Sequence, residues 1–207
     1  MFQRSNIPEI IPPKRLESFF RGKPPKVWGV GNPAILSGRL LGIISARQID
    51  SDLALKSSQV INSLVSLKEM SFVSGWHAPL EEEALRILLG REASLVFCLS
   101  KSLSRFIPPA ELGNRVETGQ ALLLTHCSPK AGRISRDASI RRNQLVAALA
   151  NALLALSAPV GSATLKLAKS ALSHGKPVFS PEHRMNSDLL ACGALPATFE
   201  NLRAALE

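Results

Sequence analysis

From residue 26 onward, short apolar runs alternate with longer stretches of helical spacing. Six runs carry the strand signature: LGIIS (41–45), MSFVS (70–74), SLVFCL (94–99), ALLLT (121–125), ALLALS (152–157) and PVFS (177–180). They are apolar almost throughout rather than alternating, as strands covered on both faces are. Between them, Asp50 or Ser51 offers an N-cap ahead of Leu53, Val60, Ile61, Leu64, Val65 and Leu67. Pro79, followed by Glu81, Glu82 and Glu83 and closed by Gly90, marks a second helix. Further helices are expected around Val116, over about 140–151, from Gly161-Ser162 to Gly175, and near 186–192. Alternation of this kind predicts an α/β, Rossmann-like fold: a mainly parallel sheet with helices on both faces. Such sheets bind ligands at the carboxyl ends of their strands.

Residues 1–23 carry Pro8, Pro12 and Pro13 among basic side chains and are expected to form an irregular arm or vestigial element, leaving 24–207 as the domain. The 207-residue chain is 45% hydrophobic, enough for a packed core. No apolar run has the length of a membrane span or a signal peptide, which points to the cytoplasm. Cys98, Cys127 and Cys192 are scattered, with no metal-ligand spacing, and are expected to be reduced thiols. The formal net charge of +9 shifts attention to polyanionic partners.

Three loops place chemistry where the fold would use it. Arg47 follows the first strand run, where a guanidinium can grip phosphate or pair with Asp50. The segment 133–144 holds Arg133, Arg136, Arg141 and Arg142 with Asp137 as its one acid, and runs into an apolar helix. Gly161-Ser162-Ala163-Thr164 follows the fifth run, where glycine allows close approach and Ser162 and Thr164 offer hydroxyls or a helix cap. No GxGxxG or Walker A loop is present, so neither a dinucleotide nor ATP is expected. His77, His126, His174 and His183 show no triad or metal spacing, and no catalytic residue, metal or cofactor is expected. Trp28, Trp76 and Phe106 are candidates for base stacking, with core packing as the competing use.

In order along the chain, these segments resemble the DprA/Smf family of DNA-processing proteins. Lys23-Pro24-Pro25-Lys26-Val27-Trp28 before Gly31 resembles the family's entry segment. Ile44-Ser45-Ala46-Arg47 resembles its VGSR, and Val73-Ser74-Gly75 the start of VSGLARGID. Arg141-Arg142-Asn143-Gln144-Leu145-Val146 resembles RRNRII, and Gly161-Ser162-Ala163-Thr164 the SGSLIT turn. Lys176-Pro177-Val178-Phe179 and Leu189-Leu190-Ala191-Cys192-Gly193-Ala194 resemble the closing V-F strand and LIxxGA ending. The sequence departs at Ser45, which replaces a glycine, and at Trp76-His77-Ala78-Pro79-Leu80-Glu81, which replaces LARGID. The resemblance implies a Rossmann-like core that binds single-stranded DNA in a basic pocket, self-associates as a homodimer, and helps load the recombinase RecA during DNA uptake. It adds Ser74, Gly75 and Asn143 to the expected site. A nucleotide-derivative-binding module or non-catalytic scaffold, in a defence or mobile-element system, is the alternative.

Overall fold

The computed structural model describes residues 7–20, 24–64, 70–91, 93–130 and 135–206. Their strands are β1 (Glu9–Ile10), β2 (Val27–Gly31), β3 (Arg39–Ile44), β4 (Met70–Ser74), β5 (Ser94–Leu99), β6 (Ala121–Thr125), β7 (Ala152–Ala155), β8 (Val178–Ser180) and β9 (Leu195–Pro196). Their helices are α1 (Arg15–Phe19), α2 (Ser51–Leu64), α3 (Pro79–Leu89), α4 (Ala110–Glu117), α5 (Arg136–Leu149), α6 (Ala163–Ser173), α7 (Ser187–Ala191) and α8 (Phe199–Leu206).

All the strands join one sheet in the order β1-β2-β6-β5-β4-β3-β7-β8-β9. Pairing is parallel from β6 through to β9, and β2 is antiparallel to both β1 and β6. The expected α/β sheet is present. The chain order reverses at β3, which pairs β4 on one side and β7 on the other. That is the switch point where loops leave in opposite directions and open a crevice.

The sheet separates two apolar layers. On one face α1, α5 and α6 contribute Leu16, Leu145, Val146, Leu149, Leu165 and Ala168. On the other, α2, α3, α4 and α8 contribute Leu53, Ile61, Leu88, Leu112 and Leu202. Burial on both sides explains why the central strands are apolar almost throughout.

Where an irregular arm or a vestigial element was expected, part of the amino-terminal segment is regular. Glu9 and Ile10 pair with Trp28 and Val27, and Leu16 of α1 is fully buried. Apolar side chains between the prolines outweigh the breakers, because they have a sheet edge and α5 to cover. Helix α8 was not foreseen, and α5 begins at Arg136, where Ser135 accepts a hydrogen bond from the Ala138 amide. No described helix is long and apolar enough to cross a membrane.

Candidate nucleic-acid interface

Every parallel crossover returns its helix antiparallel to the strands, so the amino-terminal turns of α2, α3, α5 and α6 share a rim with the strands' carboxyl ends. The loop after β3 is tied down at both ends. The Ser45 amide donates to Glu81 Oε1 (3.0 Å) and the Ala46 amide to the Ser157 carbonyl (2.8 Å). Ser157 Oγ in turn donates to the Gln48 carbonyl (2.6 Å). Asp50 caps α2 by accepting from the Leu53 amide at 3.0 Å and also receives Arg184 at 2.9 Å. These two contacts, the backbone one first, hold its carboxyl below the ordinary range. Asp50 is therefore engaged elsewhere, and Arg47 stands exposed with no ion pair among the described residues.

Strand β4 leads into a turn built around Glu81. Its Oε2 accepts from the amides of His77 (3.1 Å) and Ala78 (3.4 Å) and lies 3.1 Å from His77 Nδ1. The buried carboxylate thus gathers the ends of β3 and β4 onto the first turn of α3. Trp76 takes a positive φ of 53° to make this turn, and its indole N–H donates to the Val96 carbonyl at 3.1 Å. Trp76 is buried, so core packing prevails over stacking on a ligand.

Arg142 closes the turn from the other face. Its side chain is only 3% exposed, and Nη2 donates to His77 Nε2 at 2.9 Å. This bond makes His77 Nε2 the acceptor and leaves Nδ1–H to face Glu81. Gly75 makes room for the guanidinium: a Cβ there would lie 1.8 Å from Arg142 Nη1. Burial lowers the Arg142 pKa, and the Glu81 carboxylate opposes that shift. The Cys98 thiol beneath is pushed up to about 12 by burial, so it is no nucleophile at neutral pH. Burial, followed by the fields of Arg141 and Arg142, lowers His126 to about 4.

These positions redraw the expected site. Arg47, Arg136, Arg141 and Gly161 are exposed, while Gly75, Asn143 and Ser162 are half-buried. Arg142 is corrected from a surface phosphate contact to a buried brace of the turn, because it lies on the inward stripe of α5. Ser74 is fully buried, with Oγ accepting from the Trp76 amide, and Thr164 is 6% exposed. Neither hydroxyl is presented at the surface. Ser162 caps α6 by accepting from the Leu165 amide at 3.0 Å. Arg133 lies outside the described residues. Sequence reasoning missed His77 and Glu81, whose i,i+4 spacing at a helix start was the available signal.

No curated protein matches the chain by sequence. Among solved structures it is similar to DNA processing protein A from Streptococcus pneumoniae, at 19% identity and a TM-score of 0.81, covering 99% of this chain and 76% of that one. DNA processing protein A from Helicobacter pylori, described with its single-stranded DNA-binding mode, gives 22% identity, a TM-score of 0.76, and coverage of 97% and 94%. The molybdenum cofactor binding protein from Rippkaea orientalis is more distant, at 15% identity and a TM-score of 0.53, with coverage of 81% and 94%. The first two share this chain's sheet and flanking helices. The family model for DNA recombination-mediator protein A matches residues 9–196. With every described strand of the sheet inside that match, the chain belongs to the DNA recombination-mediator protein A family.

Proposed function

We propose that this chain binds single-stranded DNA along the rim formed by the β3 loop and the first turns of α5 and α6, as a non-catalytic component of DNA processing or recombination. The observation that carries this reading is the set of exposed guanidinium groups of Arg47, Arg136 and Arg141, unpaired by any carboxylate among the described residues. The fixed turn beneath them spares the ligand the cost of ordering the loop. Exposed backbone at Gly161, φ 78°, precedes α6 and lets a phosphate approach that helix's amino terminus.

This reading asks for no hydrolysis, and it is supported by the buried Cys98 thiol being protonated at neutral pH and by His77 already being engaged by Arg142 and Glu81. Fluorescence anisotropy with labelled single- and double-stranded oligonucleotides tests the assignment. The expected result is preference for the single strand, with Arg47→Ala and Arg141→Ala each weakening binding about tenfold, or ~1.4 kcal/mol. Unchanged affinity in both variants would reject this rim as the site.

A further inference from the structure

The loop that leaves β8 reaches back to the segment carrying Arg47. It makes one 3-10 turn, Arg184–Asn186, which His183 caps by accepting from the Met185 amide through Nδ1 at 3.2 Å. That bond leaves the proton of the neutral ring on Nε2. Nε2 lies 3.3 Å from Asp50 Oδ1 and 3.5 Å from Asp52 Oδ2, so its N–H is aimed at the start of α2. The His183 side chain is 5% exposed, whereas that of Arg184, the other partner of Asp50, is 80% exposed. An exposed ion pair adds little, and the enclosed imidazole is the firmer hold. Three residues on, Asn186 is fully buried. Its Oδ1 accepts from the Ala158 amide at 2.8 Å, and its Nδ2 donates to the Leu156 carbonyl at 3.1 Å. Between those two residues stands Ser157, which holds Ala46 and Gln48 on either side of Arg47. The loop after β8 thus grips the Arg47 segment twice, through the end of β7 and directly at Asp50.

We propose that His183 is a positioning residue for DNA binding: by holding Asp50 it keeps the segment 46–50 in one shape, with Arg47 presented at the rim. The inference rests on the single-stranded DNA reading of that rim and adds a residue that lies outside it. The Arg47 side chain is exposed and held by no ion pair among the described residues, so its placement depends on the backbone that carries it. Only Arg47, Gln48 and Ile49 lie between the anchored Ala46 and Asp50. A segment loosened at Asp50 would have to be ordered when a phosphate arrives, and that ordering subtracts from affinity. With both anchors in place the ordering is complete before DNA binds.

Two amide side chains divide the bonds of the imidazole between them. His183→Asn keeps an acceptor where Nδ1 stood, preserving the cap, and is too short to reach Asp50. His183→Gln carries an amide N–H to where Nε2 stood and gives up the cap. Binding to a labelled oligothymidine is expected to weaken about fivefold in His183→Asn and to stay within about twofold of the wild type in His183→Gln. A double-mutant cycle supplies the readout that a merely structural role would not move. Arg47→Ala alone should weaken binding about tenfold, and adding His183→Asn to it should weaken binding no further. If the two losses multiply, if His183→Asn binds as the wild type does, or if His183→Gln is weakened equally, the positioning role is overturned while the rim reading stands. If Arg47→Ala binds as the wild type does, the rim reading fails and the positioning role with it. Should His183→Asn fail to fold, His183→Gln decides: affinity within about twofold of the wild type supports the role, and a loss of about fivefold overturns it.

Discussion

At the residue scale, the arrangement turns on one buried cation. Arg142 donates to His77, His77 faces Glu81, and Glu81 collects the amides of Ser45, His77 and Ala78. Arg142 and Glu81 are buried while His77 is open to solvent, so losing a partner leaves the two buried charges in a poorly hydrated place, where an unmade hydrogen bond costs about 1–3 kcal/mol. Gly75→Ala tests this chain of contacts without changing a polar group. Its methyl would displace the Arg142 guanidinium, which is hydrogen-bonded and enclosed and so has little freedom to move aside. The expected loss is about 1–3 kcal/mol, read as a thermal midpoint lower by several degrees. A midpoint equal to the wild type would show that Arg142 relocates at little cost.

A second residue-scale prediction concerns pH. His126 is lowered from 6.5 to about 4, first by burial and then by Arg141 and Arg142, so the folded state favours the neutral ring. The unfolded chain binds the proton more readily across that interval, and stability rises with pH there. The contribution is fully present above about 6.5 and is lost progressively as the pH falls toward 4. Urea unfolding at a series of pH values should show this decline in the wild type and a shallower one in His126→Gln. Parallel profiles would remove His126 as the cause.

At the scale of elements, helix α5 carries more of the site than any other. Ser135 caps it, its first turns present Arg136 and Arg141, and its inner face packs on the sheet. Ser135→Ala should cost about 1 kcal/mol and fray the turn that positions Arg136. Circular dichroism melting together with oligonucleotide binding would register both effects, and a change in neither would show that packing alone fixes the helix start. The six apolar runs were legible as strands because both faces of the sheet are covered. The edge elements were not: β1 and β9 are two residues each, and α1 is five. Such short pieces are stabilised by neighbours distant in sequence, and no local periodicity marks them. Arg142 was misread for a different reason. Its spacing from Ala138, Leu145 and Leu149 places it on the buried stripe, but its residue type and basic neighbours suggested the surface. Spacing was the better guide.

At the scale of the whole molecule, the sheet places β3 between chain directions, and the net charge of +9 favours a polyanionic partner. The order of the loops and the exposed arginines among them were visible in the sequence. The internal bracing of the turn was not, since it depends on α5 folding back across β4 and β5. The decisive quantity is the salt dependence of binding by the intact chain to oligothymidine, between about 50 and 200 mM salt, because each neutralised phosphate on a single strand contributes about −0.7 to the logarithmic slope. The wild type should show a steep negative slope, and a triple replacement of Arg47, Arg136 and Arg141 by Ala should make it shallower by about 2 while weakening affinity. A triple variant with the wild-type slope and affinity would contradict the assignment of this rim to the DNA backbone.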